Sequence, residues 1–470
     1  MTRGIVAVAA VAALAVAGCT SDEPGTATTA PKRNFQPGAD GVGDPYFPKY
    51  GNGGYDVRNY ALKLKYDPRS DELSGTATVT AVATADLSRF NLDFSGLSVS
   101  SVSVNGKPAT EAREEAELVV TPGAGIAKDA EFTVEVAYAG KPAPIQSADL
   151  GEGGFLHTDD GAIALGQPES ASSWFPVNDH PTDKATYDIE IAVPQGLEAL
   201  SNGVPGEKAD ADGWTTWKWS EKVPMASYLA YLAIGEYRVE TSTHNGKPMV
   251  IAIPESLPEG GDAEDSMART GEIVDFLETQ FGPYPFEAYG GVVVDDDRIG
   301  YALETQSRPV YGGVWFKQNR NLVVVAHELA HQWFGDSVSI AQWKDIWLNE
   351  GFASYAEWLW TEKDGGPSVQ ESFQQEYDDT DWQNPTADPG RTGIFSRAVY
   401  KRGALTVHAL RLTIGDDDFF NLLKTWTAEK RNGNAATADF VTVAERVSGE
   451  SLDGFFDRWL IGDTPPEIPR

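Results

Sequence analysis

The chain has 470 residues, with 70 acidic against 37 basic side chains, so its formal net charge is -33. So strong a negative charge argues against nucleic acid or an anionic membrane surface as a binding partner. The charge indicates a folded protein with a solvent-exposed surface. The length suggests two or three domains with a large core.

The first 18 residues predict an export signal. Arg3 precedes an apolar run, residues 5–17, which has the length of a signal-peptide core and is too short to span a bilayer. The run ends in Val16-Ala17-Gly18-Cys19, which resembles a bacterial lipoprotein box, in which the cysteine becomes the lipidated first residue. Cys19 is the only cysteine, so internal disulfides are excluded. The alternative is a plain secretory signal followed by a stray cysteine.

Lipidation of Cys19 would anchor the protein to the outer face of a bacterial cell membrane, with its catalytic body outside the cell. Residues 19–43 contain many Thr, Ala, Gly and Pro and few large apolar residues, which predicts a flexible tether. A random coil of that length reaches on the order of 25 Å.

Residues 44–237 predict a β-sheet domain. Apolar residues alternate with more polar neighbours at Tyr60, Leu62, Leu64 and Tyr66, and again at Phe132, Val134, Val136 and Tyr138. Such period-two alternation is typical of half-buried strands. Residues 89–94 and 97–104 predict further short strands, and Asn105-Gly106 is a favoured hairpin turn.

Residues 238–470 predict a second, mainly helical domain. Helical spacing of apolar residues covers 264–281 and ends at Gly282-Pro283, and a short apolar run at 291–294 predicts a buried strand. Residues 365–397 are polar and predict a loop beside the cleft, and helical patterning returns towards the carboxyl end.

Within this second domain, His327-Glu328-Leu329-Ala330-His331 predicts a metal site. Residues four apart lie on the same face of an α-helix, so His327 and His331 can direct two imidazole nitrogens at one point. Glu328 lies beside the first ligand, where its carboxylate can reach a water on the metal without ligating the metal. The alternative is an ordinary buried helix that matches a short pattern by chance.

A catalytic zinc needs three protein ligands and an open position, and two imidazoles with one carboxylate form a known set. Glu350 follows His331 after eighteen intervening residues, within a predicted helix over 345–361. That spacing leaves room for a turn and a return towards the histidines. We therefore expect His327, His331 and Glu350 to hold one Zn²⁺ per chain.

The stretches HELAHQWFGD (327–336) and WLNEGFASYAEW (347–358) together resemble the aminopeptidase N family of zinc metallopeptidases, peptidase family M1. The resemblance implies an α+β multidomain fold, with a saddle-like β-rich amino-terminal domain followed by a thermolysin-like, mainly helical catalytic domain. It implies the same three zinc ligands, with Glu328 as general base. Longer members continue into a helical bowl, which we do not expect here.

Two further segments resemble the family's substrate-binding motifs. One contains Gln167-Pro168-Glu169, and the other, residues 300–306, resembles Gly-Ala-Met-Glu-Asn in a divergent form that keeps Glu304. The resemblance implies that Glu169 and Glu304 bind the free α-amino group of a substrate, and a cation in a closing cleft does need carboxylates in place of its water shell. The alternatives are that Glu169 is a turn residue and Glu304 a strand-end residue.

Residues 399–405 resemble the family's Tyr-x-x-Gly segment. The resemblance implies that Tyr400 donates its phenol to the oxyanion of the tetrahedral carbonyl, whereas a plain buried tyrosine is the alternative. Glu357 lies seven residues after Glu350 on the same helical face, so it could orient a zinc ligand from a second layer.

The sequence thus predicts a zinc aminopeptidase that removes the first residue of peptides with a free amino terminus. Two alternatives stay open: a zinc endopeptidase using the same site, and a surface lipoprotein that binds peptides without cleaving them. The expected partners are peptides and, through the lipid on Cys19, a membrane, and the pattern does not determine an oligomeric state.

Overall fold

The alternating segments of the amino-terminal half form a long sheet in the computed structural model, which describes residues 33–147 and 151–469. In spatial order its strands are Val204–Pro205, Trp214–Met225, Ala185–Pro194, Tyr55–Asp67, Glu72–Ala83, Glu131–Gly140, Ser98–Val104 and Lys107–Pro108, and Ala209–Ala211 pairs with Trp214–Met225. Side chains two apart, such as Tyr60 and Leu62, share the buried face of their strand. Asn105 and Gly106, with φ of 51° and 70°, form the predicted hairpin turn.

Two shorter sheets complete this half. One contains Gln36–Pro37, Leu87–Asp93, Glu117–Thr121 and Thr110–Glu114, and the other contains Pro144–Ser147, Gly151–His157, Ala162–Leu165, Leu232–Gly235 and Glu198–Leu200. The prediction of a β-rich amino-terminal half is confirmed.

The predicted tether, residues 19–43, is too long at its carboxyl end. Gln36–Pro37 pairs with the strand Leu87–Asp93, and the Gly38 amide donates to the Arg89 carbonyl at 2.9 Å. Accordingly, Phe35–Arg470 forms one compact unit by its backbone contacts. The predicted signal peptide, Cys19 and most of the tether lie in residues 1–32, outside the described residues.

The second half begins with a mixed sheet, whose strands in spatial order are Tyr237–His244, Lys247–Pro254, Tyr289–Val294, Val310–Gly312 and Ala302–Leu303. The predicted buried strand 291–294 lies within Tyr289–Val294. A short parallel pair joins Ser339–Ile340 to Asn434–Ala435.

Helices make up most of the rest of this half. They are α1 (Asp262–Met267), α2 (Thr270–Phe281), α3 (Leu322–Ala330), α4 (Trp347–Lys363), α5 (Val369–Asp379), α6 (Gly403–Ile414), α7 (Asp416–Glu429), α8 (Thr437–Ser448) and α9 (Asp453–Phe456). Single 3₁₀ turns occur at Ala171–Ser173, Ser227–Leu229, Gly313–Phe316, Trp343–Asp345 and Arg391–Gly393, and π-helical turns at Ala398–Arg402 and Asp457–Ile461. Among the described helices, none combines the length and the apolar character that a bilayer span requires.

Two predictions about this half are corrected. The helix predicted over 264–281 is divided into α1 and α2. Between them the Arg269 amide donates to the Ser266 carbonyl, three residues back, at 3.1 Å, and the Thr270 hydroxyl donates to the Met267 carbonyl at 2.7 Å. The loop predicted over 365–397 contains α5, which a capping box of Ser368 and Glu371 begins. The Ser-x-x-Glu pattern of this capping box is present in the sequence, but the high polarity of the segment favoured the prediction of a loop.

Candidate metal centre and substrate cleft

Helix α3 and its carboxyl-terminal cap place the side chains of the two histidines next to each other. The Asn321 side chain caps the start of α3 by accepting from the Val324 amide at 3.2 Å, and the apolar residues that follow are largely buried. His327 lies in the last turn and His331 at the carboxyl-terminal cap. Their Nε2 atoms are 3.1 Å apart, as the spacing of four predicts.

Glu350 completes the site from the first turn of α4, which packs against α3. Its Oε2 lies 3.4 Å from the Nε2 atoms of both His327 and His331. Tetrahedral ligands at zinc bond lengths stand about 3.3 Å from one another. The three atoms therefore already have the separations that a zinc ion requires, and the predicted third ligand, Glu350, lies beside both histidines.

The electrostatics of this cluster also suit a cation. Burial lowers the pKa of the His331 imidazole, but Glu350 and Glu304 outweigh this effect and raise the pKa to about 10. The cluster thus stabilises positive charge at the point between the imidazoles, which is where a metal ion would lie.

Each imidazole is oriented by a hydrogen bond at its other nitrogen. His327 Nδ1 lies 2.8 Å from Glu357 Oε1. The other carboxylate oxygen of Glu357, Oε2, accepts from Lys401 Nζ at 2.8 Å. His331 Nδ1 lies 2.9 Å from the Phe334 carbonyl. Donation from both Nδ1 atoms leaves both Nε2 lone pairs for a metal. Glu357 stands where the sequence predicts, whereas Lys401 was not anticipated.

Glu328 is buried at the wall of the same cleft, beside the histidines. Burial raises the pKa of its carboxyl to about 8, although His327 and His331 oppose that rise. A carboxyl that titrates near neutral pH can both take and return a proton, as a general base must.

Tyr400 reaches the cleft from the π-helical turn Ala398–Arg402, which leads into α6. Its ring stacks on the His327 ring, with centroids 6.0 Å apart and an interplanar angle of 19°. The close approach of the π-helical turn to α4 depends on two glycines, because a Cβ on Gly403 would lie 2.7 Å from the Gly351 Cα. A larger residue at either position would separate the turn that carries Tyr400 from the helix that carries Glu350.

Arg402 holds that turn in place from below the surface. Its buried guanidinium donates to the carbonyls of Trp459 at 2.8 Å, Trp382 at 3.0 Å and Gly462 at 2.6 Å. These bonds satisfy a buried charge with backbone acceptors, which explains why an arginine can lie inside the domain.

Glu304 lies deeper in the cleft, just after the strand Ala302–Leu303. Its carboxylate Oε1 accepts from the Tyr228 hydroxyl at 3.0 Å and from Gln167 Nε2 at 3.3 Å. The side chain is 2% exposed, and burial raises the pKa of its carboxyl. Glu304 is therefore a buried residue of the site and not a surface strand-end residue.

Glu169 lines a second cavity that adjoins the metal cleft, and the two share Gln167, Tyr301, Ala302 and Tyr400 as a common wall. Burial and Asp179 raise the pKa of Glu169 to about 7, while a hydrogen bond to Tyr50 opposes that rise. The structure thus places Glu169 and Glu304 in adjoining cavities. Tyr50 and Tyr228, which touch these two carboxylates, carried no signal in the sequence.

Comparison with known proteins agrees with this architecture. The family model of the peptidase M1 N-terminal domain matches residues 56–229, and that of the peptidase family M1 domain matches residues 266–459. The structure resembles that of an M1 zinc metallopeptidase mutant from Deinococcus radiodurans bound to a Tyr-Ser-Ala substrate, with 30% identity and a TM-score of 0.84. That match covers 92% of this chain and 99% of the other.

Two curated relatives are longer than this chain. Human glutamyl aminopeptidase is 29% identical over 377 residues, which cover 73% of this chain and 38% of that protein. The tricorn protease-interacting factor F2 of Thermoplasma acidophilum is 24% identical over 86% of this chain and 53% of its own length. The present chain thus spans between two fifths and about half of these relatives. The matching domains, the structural neighbour and the arrangement of the cleft place the chain among the zinc metallopeptidases of family M1.

Proposed function

We propose that this protein is a zinc aminopeptidase, which hydrolyses the first peptide bond of peptides with a free amino terminus. The observation that carries the proposal is the position of Glu304, a buried carboxylate in the same cleft as His327, His331 and Glu350. The Glu304 carboxylate lies within 4.8 Å of a ring nitrogen of His331, so it offers a counter-charge to a substrate ammonium group close to the metal site. The Tyr-Ser-Ala complex of the Deinococcus relative supports a short peptide as substrate.

His327, His331 and Glu350 would hold the zinc, which supplies Lewis-acid chemistry when bound. Glu328 takes a proton from the attacking water and later returns it to the leaving amine. Burial raises the pKa of Glu328 to about 8, and a cation held beside it would lower that pKa and favour the charged form that accepts the proton.

Tyr400 would donate its phenolic proton to the oxygen of the scissile carbonyl as that carbon becomes tetrahedral. Burial and the surrounding carboxylates raise the pKa of Tyr400 well above its ordinary value, so the phenol stays protonated and able to donate. Its stacking on His327 keeps the hydroxyl on the wall of the metal cleft.

One assay distinguishes this function from the endopeptidase and the binding protein. Hydrolysis of an aminoacyl anilide with a free amino group is compared with hydrolysis of its acetylated form, with and without a zinc chelator. We expect cleavage of the free form alone, and loss of that cleavage with chelator. Equal cleavage of both forms would indicate an endopeptidase, and cleavage of neither form by zinc-loaded protein would indicate a binding protein.

We also propose that the protein is exported and anchored by a lipid on Cys19 to the outer face of a bacterial membrane. The support is the sequence alone: the apolar run 5–17 and the lipoprotein-like segment that ends at Cys19. Replacing Cys19→Ser should abolish incorporation of labelled fatty acid and release the protein from the membrane fraction. A Cys19→Ser protein that stays with the membrane would contradict the anchor.

A further inference from the structure

The cavity beside the metal cleft has a lining that can select among side chains. Its volume is about 240 Å³, many times the space that one water needs. It opens off the shared wall of Tyr301 and Tyr400 on the side of Glu169. A substrate whose ammonium group lies between Glu304 and Glu169 can place its first side chain there.

We propose that this cavity takes the amino-terminal side chain of the substrate, that it favours large aromatic and long cationic side chains, and that it rejects acidic ones. The inference rests on the aminopeptidase function proposed above, and it adds the substrate class of that site.

The first reason is the apolar wall. Tyr50, Ile145, Tyr301 and Phe395 line the cavity, and each is only partly buried, so its apolar surface faces the empty space. A large side chain that covers this surface removes apolar area from water at about 25 cal/mol per Å². An alanine or serine side chain would leave most of that surface wet, and aromatic rings add a favourable stacking contact.

The second reason is the charge of the lining. Glu152 and Glu169 both line the cavity, and Glu152 is half-buried with one carboxylate oxygen accepting from Gln146 Nε2 at 2.7 Å. Its other oxygen has no described hydrogen-bond partner and can receive a guanidinium or ammonium group. An arginine side chain combines that ion pair with stacking on the tyrosine and phenylalanine rings.

The same lining disfavours an acidic side chain. Among the described residues, those that line the cavity include no Lys, Arg or His. The guanidinium of Arg391 lies 5.4 Å from the Phe47 ring, which stacks in turn on Tyr50, and Arg391 is not part of the lining. A carboxylate inside the cavity would therefore meet two acids and lose its water shell, and the cations that act on lining residues, Arg391 on Tyr50 and Arg298 on Glu152, lie outside the lining.

The test uses two readouts on the zinc-loaded protein. The first is kcat/KM for dipeptides X-Ala, where X is Phe, Tyr, Arg, Lys, Ala, Glu or Asp. We expect Phe and Arg to exceed Ala about tenfold, and Glu and Asp to fall about tenfold or more below Ala. The second readout is calorimetric binding of free L-Phe, L-Arg and L-Glu, which needs no catalysis.

Three variants separate the contributions. Glu152→Gln should lower the Arg-to-Ala ratio of kcat/KM about tenfold and leave the Phe-to-Ala ratio in place. Phe395→Ala should lower the Phe-to-Ala ratio about tenfold. Glu131→Gln removes an exposed carboxylate of the strand Glu131–Gly140 that does not line the cavity, and it should change neither ratio.

The outcomes distinguish the two proposals. Hydrolysis without these preferences, or with Glu and Asp at or above Ala, overturns the cavity proposal and leaves the aminopeptidase intact. Binding of Phe and Arg over Glu without hydrolysis of any dipeptide overturns the aminopeptidase and supports the cavity. An Arg-to-Ala ratio that Glu152→Gln does not move overturns the role of that carboxylate.

Discussion

The metal half of the cleft and the half that receives the amino terminus are built in different ways. The metal half comes mainly from α3 with its carboxyl-terminal cap and α4, which supply every predicted metal ligand and Glu357 within residues 327–357, and Tyr400 joins it from the turn Ala398–Arg402. The other half gathers Tyr50, Glu169, Tyr228 and Glu304 from segments far apart in the chain, most of them in the β-rich half.

Because the two halves act on different parts of the substrate, substitutions in one should change the catalytic rate and substitutions in the other should change substrate binding. The metal half holds the groups that act on the scissile carbonyl, so changes there should lower kcat. The other half holds the ammonium group and the first side chain, so changes there should appear mainly in KM or in kcat/KM ratios between substrates. The experiments that follow test that division, beginning with the metal half.

Glu328→Gln should have the largest effect, lowering kcat by about 10² to 10⁴-fold, because the amide cannot take the proton of the attacking water. Zinc content and KM should stay near the parent values, since Glu328 is not a ligand. Steady-state kinetics and atomic absorption measure these quantities, with Glu131→Gln as the matched carboxylate control. Parent-level kcat in Glu328→Gln would exclude this general base.

Tyr400→Phe should lower kcat by about 10² to 10³-fold, the loss seen when other oxyanion donors are removed. The substitution keeps the ring that stacks on His327 and deletes only the hydroxyl. Kinetics on one free aminoacyl anilide would measure it. A Tyr400→Phe protein with unchanged kcat would show that the tyrosine is only a wall of the cleft.

Glu357→Gln should weaken zinc binding about 10 to 100-fold, because His327 loses the charged acceptor that orients it. Lys401→Met should have a smaller effect, since it leaves the Glu357 to His327 contact in place. Competition with a chromophoric chelator measures both dissociation constants. Equal zinc affinity in the parent and Glu357→Gln would mean that packing alone orients His327.

The smallest expected effect is a pH dependence of KM, which arises from Glu169 in the half of the cleft that receives the amino terminus. Burial raises the pKa of Glu169 to about 7, so the residue is mostly charged above pH 7 and mostly neutral below it. A neutral Glu169 binds an ammonium group less well, and KM should therefore rise severalfold as pH falls from 8 to 6, over which the charged fraction of Glu169 drops about tenfold. Glu169→Gln should flatten that rise. The same pH profile in both proteins would separate Glu169 from the amino terminus.

The β-rich half shows where pattern reading was sufficient and where it was not. Alternation in segments such as Tyr60 to Tyr66 predicted strands, because one face of each is buried. The order of those strands depends on contacts between distant segments, such as the pairing of Tyr55–Asp67 with Ala185–Pro194. The inclusion of residues 36–39 in the fold depends on the same kind of contact, so the tether prediction failed there.

The metal half could be predicted because the period of the α-helix converts a spacing of four into two adjacent imidazoles. The other half could not, because no local period relates Tyr228 or Tyr50 to the carboxylates they touch, and Lys401 meets Glu357 only where α4 approaches the π-helical turn. The spacing of residues along the chain thus predicts a site whose side chains all come from one or two helices. Recognition of a substrate needs groups that only the packing of distant segments brings together.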